Sequence, residues 1–169
     1  NTAEKLAATY LRLNGFLLLP HFTVFQGPHH GHVDLIGLRA KDSFSGFDGE
    51  PFLMDEALFE AINQVVCPES KSVFLGLVAE VRTNEQRDTP NEDQVRYVQK
   101  FLGGVPMAKL AFLDAEQPPG CRDGLIHIGN RYALSWILQR IRSMKAMRGL
   151  TKSGSWTLSE ETLADILVL

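Results

Sequence analysis

The feature that most constrains the fold of this chain is an apolar run, VFLGLVAEV, within residues 72–83. Side chains of a β-strand point alternately to its two faces, so this run is apolar on both of them. A strand of that kind lies inside a sheet that is covered on both faces, as in α/β proteins. The run carries a single carboxylate, Glu80, and Arg82 follows it two residues later.

Apolar periodicity and turn residues divide the rest of the chain into helices and strands. The spacing predicts helices over residues 2–14, 55–66, 91–102, 130–148 and 159–167. It predicts strands over residues 16–25, 32–39, 72–83, 106–113 and 125–128, with turns at 26–31 and 117–124. This order is typical of an α/β fold in which helices flank a mixed sheet, with further helices at the C-terminal end.

Length and composition predict a globular domain. The 169 residues are 44% hydrophobic and 22% charged, and a chain of this size buries a core without cross-links. We expect a single domain over residues 1–169, with a core at about 2–114 and a helical extension at about 130–169. The two cysteines match no metal-binding pattern. With no secretory signal and no apolar run of membrane-spanning length, the sequence predicts a cytoplasmic protein.

The charges are unevenly distributed along the chain, although the net charge is only −3. Residues 124–158 contain no Asp or Glu but include six basic residues. Three of these, Arg142, Lys145 and Arg148, lie along one side of the predicted helix 130–148 and are candidates for binding a nucleic-acid backbone. A solvated helix face balanced by acids elsewhere is the alternative, and the sequence leaves both open.

Two apolar strands each contain one isolated carboxylate, Asp34 in HVDLIGL and Glu80 in GLVAEVR. Burying a carboxylate is unfavourable unless a cation or hydrogen-bond donors compensate it. The two carboxylates can face each other if the strands are neighbours. Such a pair suits Mg²⁺ or Mn²⁺, since a hard cation takes one or two carboxylates and several waters. An ion held there would activate water for attack on a phosphodiester.

Each of these residues also has a purely structural interpretation. Asp34 would cap a turn or pair with Arg39 or Arg82, and Glu80 would pair with Arg82 on the same strand face. Glu4, near the start of the first helix, would be an acid favoured by the helix dipole. The histidines at positions 29, 30 and 32 read as a polar turn, because no further ligand nearby completes a tetrahedral zinc site.

In this order on these elements, the acidic residues resemble those of the PD-(D/E)xK nuclease superfamily. The shared features are Glu4 on the first helix, the phrase YLRLNGF, Asp34 on the second strand and Glu-x-Arg on the third. The resemblance covers about residues 2–114 and is nearest to small restriction-endonuclease-like and Holliday-junction-resolvase-like domains. It implies a restriction-endonuclease-like αβββαβ core.

The resemblance also implies a site. Asp34, Glu80 and the backbone carbonyl of Val81 would bind Mg²⁺ or Mn²⁺, and Glu4 would lie at the edge of the site. Gln94, on the predicted helix 91–102, would face the substrate.

The sequence departs from the family pattern where the catalytic lysine is expected, because Arg82 stands there. An arginine stays protonated and cannot act as a base, although it can hold a phosphate or orient water.

Two functions therefore remain open. The first is a metal-dependent nucleic-acid phosphodiesterase, with DNA favoured as the substrate and Asp34, Glu80, Arg82 and Glu4 as the catalytic set. The second is a catalytically inactive nuclease-fold domain that binds nucleic acid or a protein partner. Because many relatives act as dimers, the resemblance also allows a homodimer. Neither a phosphate-binding glycine loop nor a serine-nucleophile motif is present in the sequence.

Overall fold

The apolar run around Glu80 forms an interior strand of a six-stranded sheet in a computed structural model of the chain. The structure describes residues 2–26, 29–40, 54–66, 72–82 and 90–148. Within these ranges the chain is an α/β fold with four helices. The helices are α1 (Thr2–Leu13), α2 (Glu56–Val65), α3 (Glu92–Phe101) and α4 (Asn130–Arg148). The strands are β1 (Leu17–Gln26), β2 (His29–Ala40), β3 (Phe74–Val81), β4 (Met107–Leu113), β5 (Gly120–Arg122) and β6 (Leu125–Gly129).

The sheet is mixed, with the strand order β1-β2-β3-β4-β6-β5. Antiparallel pairing joins β1 to β2, β2 to β3 and β5 to β6. Parallel pairing joins β3 to β4 and β4 to β6. Parallel neighbours need a crossover connection, and α3 supplies it between β3 and β4. The strand β3 is thus interior, as its two apolar faces predict.

The two faces of the sheet are covered differently. On one face, α1, α2 and α4 pack over the larger core, which includes Leu77 of β3, Leu110 of β4 and Ile126 of β6. On the other face, α3 packs through Val95 and Val98 over a smaller cluster that includes Val78 of β3. Alternating residues of β3 therefore enter the two clusters, which accounts for its continuous apolar sequence.

Helix ends follow the capping residues in the sequence. The side chain of Asp55 accepts a hydrogen bond from the Ala57 N–H at the start of α2. At the start of α3, Asn91 and Gln94 form a reciprocal capping box, in which each side chain bonds the backbone of the other residue. Gly15, with φ of 84°, directs the chain from α1 into β1.

Two predicted turns contain strand. The strand β2 begins at His29, so residues 29–31 of the turn predicted at 26–31 belong to it, because Gln26 and Phe25 of β1 pair with this segment. The turn predicted at 117–124 contains β5, which pairs with β6. The predicted helix 159–167 lies outside the described residues. No helix among the described residues is long and apolar enough to cross a membrane.

Candidate functional site

The sheet forks between β2 and β3. Their pairing reaches Leu35 opposite Ala79 and goes no further in that direction. Beyond this point β2 stays paired with β1 towards His29, whereas β3 stays paired with β4 as far as Val81 opposite Phe112. The two strands therefore separate, and the fork opens at the carboxyl end of β3.

Asp34 and Glu80 are the first residues beyond the last pair on either side of the fork. Extending the register by one position sets them opposite each other, and opposite residues of an antiparallel pair share a face. Both side chains are half-buried. The two residues that the sequence predicts as a pair thus flank the opening of the fork, and their pairing as metal ligands stays a prediction. Glu80 also interacts with other parts of the chain.

The carboxylate of Asp34 also holds the fork in place. Its Oδ2 accepts a hydrogen bond from the Val81 N–H at 2.7 Å, where a backbone carbonyl would have accepted if the strands had stayed paired. This bond satisfies an amide that the separation of the strands would otherwise leave without an acceptor. Oδ1 of Asp34 accepts no hydrogen bond from any described residue, so one carboxylate oxygen is available to a ligand.

Glu4 approaches the same level of the sheet from α1. On β1, His21 lies opposite Asp34 in the register, but it has a φ of 53° and does not pair. Its imidazole Nε2 is 3.7 Å from Oε2 of Glu4, whose side chain is 22% exposed. The left-handed backbone of His21 thus directs its side chain towards α1. Glu4 therefore lies near Asp34 only by way of its contact with His21.

Arg82 lies directly after β3, where its backbone N–H donates to the Phe112 carbonyl at 3.0 Å. Its side chain lines a cavity of about 320 Å³ at the end of the sheet, between the first turns of α1 and α4. The other residues that line this cavity are Ala3, Leu6, Asp114, Asn130, Arg131 and Leu134. Arg131 is itself paired, with Glu116 at 3.0 Å and Asp114 at 3.7 Å.

Gln94 has a clear structural role. Its Oε1 accepts from the Asn91 N–H at 2.9 Å, and its Nε2 donates to the His32 carbonyl at 3.1 Å. A side chain at Gly31 would come within 3.2 Å of the same Nε2. Gln94 therefore fixes the start of α3 against β2 beside the fork, and both ends of its amide are engaged. Its predicted contact with substrate stays a prediction.

The basic C-terminal helix extends away from the fork. Arg142 is exposed on α4, about 18 Å along the helix axis from Asn130, which lines the cavity beside Arg82. Lys145 and Arg148 follow on the same helix, and their side chains lie outside the described part of the chain. Arg140 is buried, and desolvation lowers its pKa. The roles of Arg142, Lys145 and Arg148 in substrate binding stay predictions.

A second polar cluster, which the sequence did not reveal, lies on the opposite face of the sheet. Asp55 is 3% exposed, and its carboxylate accepts from the Tyr10 hydroxyl at 2.5 Å and from the Tyr132 hydroxyl at 3.1 Å. The Asp55 N–H donates to the buried Asn14 side chain at 2.8 Å. Burial and Asp55 raise the pKa of Tyr132 to about 12, and the same causes raise the pKa of Tyr10 further.

The fork carries the kinds of oxygen donor that a divalent cation takes. Among the described residues, no group of three His, Cys, Asp or Glu side chains is arranged to bind a metal ion. Mg²⁺ does not require such a group, because it commonly takes one or two carboxylates and keeps several waters. Asp34 Oδ1 and Glu80 are hard oxygen donors of the right kind, and the Val81 carbonyl lies next to Glu80 in the chain.

No family model, curated protein or solved structure matches this chain.

Proposed function

We propose that this chain is a metal-dependent nucleic-acid phosphodiesterase with a restriction-endonuclease-like core, and that DNA is its substrate. The observation that carries this proposal is the position of Asp34 and Glu80 on the two sides of the fork, beside the hydrogen bond from the Val81 N–H to Asp34. Two carboxylates set opposite each other repel unless a proton or a cation lies between them. A divalent cation bound between them would offset this repulsion.

Asp34, Glu80 and the Val81 carbonyl would hold Mg²⁺ or Mn²⁺. When bound, the ion supplies charge stabilisation for a phosphodiester and lowers the pKa of water. The hydrogen bond from the Val81 N–H leaves Asp34 Oδ1 for this purpose and fixes the orientation of the carboxylate. Glu4, next to His21, would contribute at the edge of the site through water.

Arg82 would hold the phosphate of the substrate. A guanidinium is permanently charged and presents a planar set of donors that matches phosphate oxygens. Its position at the wall of the 320 Å³ cavity places that charge at the end of the sheet, on the strand that carries Glu80.

The proposal is tested with supercoiled plasmid, branched DNA and single-stranded DNA, each incubated with Mg²⁺ or Mn²⁺. The wild-type chain is expected to cut at least one substrate, and Asp34→Asn and Glu80→Gln are expected to abolish cleavage. Both changes keep the side-chain shape, and an Asn at position 34 can still accept from the Val81 N–H. Glu56→Gln is the matched control, because Glu56 is exposed on α2 at the opposite face of the sheet.

Binding of the ion is measured separately by titration calorimetry with Mn²⁺. Heat of binding is expected for the wild-type chain and for Glu56→Gln, and none for Asp34→Asn or Glu80→Gln. A wild-type chain that binds no ion and cuts none of the three substrates would contradict the proposal.

The second candidate is an inactive nuclease-fold domain that binds nucleic acid or a protein partner. The observation that favours it is Arg82, because the chain has an obligate cation where the related nucleases have a lysine. Arg82→Lys separates the two candidates. If the site is otherwise competent but lacks this lysine, the variant gains cleavage that the wild-type chain lacks. Salt-dependent DNA binding without cleavage by either form would establish the second candidate.

A further inference from the structure

We propose that His127 of β6 is the proton acceptor for the water that attacks the phosphodiester. This inference rests on the proposed function, because it assigns a residue to the same reaction. Among the residues that the sequence predicts for catalysis, Asp34 and Glu80 are assigned to the ion, Glu4 is engaged with His21, and Arg82 cannot accept a proton. The reaction still needs a group that takes the proton of water near neutral pH.

The register places His127 in one transverse row with Glu80. Glu80 of β3 lies opposite Ala111 of β4, and Ala111 lies opposite His127 of β6. Laterally adjacent residues of a sheet share a face, so Glu80 and His127 both project from the face that α3 packs on. Two strand spacings separate their backbones by about 10 Å. The two side chains together with one water molecule span such a gap.

His127 has small neighbours on both sides of its row, of which Ala111, towards Glu80, is fully buried. Its neighbours in the row are Ala111 on β4 and Gly120 on β5, which have the smallest side chains available. A Cβ atom added at Gly120 would meet only one atom within 4 Å, the Pro118 carbonyl oxygen at 3.9 Å. The apolar cluster beneath α3 includes no residue of β5 or β6. The side of His127 that faces β5 is therefore open, and the apolar cluster under α3 does not extend over it.

The imidazole is in the state that a base requires. Partial burial, Arg122 and Arg82, in that order, lower the pKa of His127, and Asp123 opposes them. His127 is therefore mostly neutral at neutral pH, with a lone pair on one ring nitrogen. Neither ring nitrogen is hydrogen-bonded to a described residue. Arg82, which directly follows the strand that carries Glu80, is near enough to contribute to this lowering.

The chemical step balances without another reactant. The water oxygen forms a bond to phosphorus while one of its protons passes to the neutral nitrogen of His127. The bond from phosphorus to the leaving oxygen breaks, its electron pair stays on that oxygen, and the oxygen takes a proton from solvent. The products are a phosphomonoester and a free hydroxyl, and His127 returns its proton to solvent.

The test uses the full chain with Mn²⁺ and whichever DNA substrate the wild-type chain cuts. His127→Gln is expected to lower the cleavage rate about 10²- to 10⁴-fold, the usual contribution of a general base. Mn²⁺ binding is expected to remain at the wild-type level, because His127 is not assigned to the ion. His32→Gln is the matched control, since the His32 side chain is exposed on β2. The hydrogen bond from Gln94 goes to the His32 backbone carbonyl, which the substitution keeps.

Two readouts separate proton transfer from a structural effect. The wild-type rate should level off near neutral pH, whereas the rate of His127→Gln should keep rising with pH as hydroxide replaces the base. In His127→Ala, added imidazole should restore cleavage, because the vacated space lies between Ala111 and Gly120. If His127 only supports the fold, neither the changed pH profile nor the rescue by imidazole is expected. If His127→Gln does not fold, the imidazole rescue of His127→Ala tests the inference.

The outcomes distinguish this inference from the function on which it rests. If Glu80→Gln abolishes cleavage but His127→Gln cuts at the wild-type rate with the wild-type pH profile, the inference is wrong and the proposed function stands. If both His127 variants lose activity without rescue by imidazole or a changed pH profile, the inference is also wrong. If the wild-type chain neither binds Mn²⁺ nor cuts DNA, the proposed function and this inference fail together.

Discussion

Asp55 and Asp34 are both withdrawn from water, but the protein surrounds them differently. Asp55 accepts hydrogen bonds from two tyrosine hydroxyls and one backbone amide, on the face of the sheet under α1 and α4. Asp34 accepts one backbone N–H, and its other oxygen has no described donor. A carboxylate saturated with donors is part of the structure, whereas one that keeps an oxygen for an external cation is a candidate site.

The comparison predicts that Asp55→Ala has the largest effect on stability. The change leaves the buried Tyr10 hydroxyl, the half-buried Tyr132 hydroxyl and the first turn of α2 without an acceptor, so the free energy of unfolding should fall by about 3 kcal/mol or more. Urea unfolding followed by circular dichroism measures this. Asp55→Asn, which keeps an oxygen at the cap, should lose less. A loss of less than about 1 kcal/mol for Asp55→Ala would mean that the cluster is not a structural centre.

Tyr10→Phe should have the next largest effect, a loss of about 2 kcal/mol, because its hydroxyl donates to a charged and buried acceptor. The ring contacts with Phe112 and Trp136 remain in this variant, so the loss of stability measures the contribution of the Tyr10 hydroxyl. The same unfolding experiment applies. Tyr97→Phe, on the face covered by α3, is the matched control and should change stability little.

Alkaline pH should destabilise the chain through the same cluster. An unfolded tyrosine ionises near about pH 10, whereas in the folded chain the pKa of Tyr132 is raised to about 12 and that of Tyr10 is raised further. Above about pH 10 the unfolded state loses protons that the folded state keeps, so stability falls as pH rises. Melting temperatures measured across this range should fall less steeply in Tyr132→Phe. An unchanged slope would contradict the assignment.

The smallest effect on stability is expected at the fork. Glu80→Gln should change the free energy of unfolding by less than about 0.5 kcal/mol, or raise it, because the change removes repulsion from Asp34. The free energy of unfolding should therefore depend far less on Glu80 than on Asp55. If Glu80→Gln instead destabilises the chain as strongly as Asp55→Ala, Glu80 has a structural role and the two regions are alike.

The sequence predicted most of the elements because their signals are local. The strand β3 follows from an apolar run, and α3 from an Asn cap and acids in its first turn. The strand β5 could not be recognised, because three residues between glycine and proline turns become a strand only by pairing with β6. The start of β2 at His29 likewise depends on its pairing with β1.

The candidate site was predictable only in part, for a similar reason. Asp34 and Glu80 stood out because each interrupts an apolar strand. The Val81 N–H donates to Asp34, and Gln94 donates to the His32 carbonyl. Both hydrogen bonds depend on the geometry of the fork, so no local sequence pattern predicts them. His127 was not recognisable either, because its row with Glu80 passes through two strand pairings that only the folded sheet defines.

The bond from Val81 to Asp34 joins positions that are 47 residues apart, and this separation has a consequence for folding. Asp34 belongs to the β1–β2 hairpin, whose contacts are close in sequence, whereas Glu80 belongs to the parallel part of the sheet, which closes longer loops. The two carboxylates meet only when these two parts have joined. An ion that binds this pair therefore binds the native chain alone, and at 100 times its dissociation constant it would add about 2.7 kcal/mol to the free energy of unfolding.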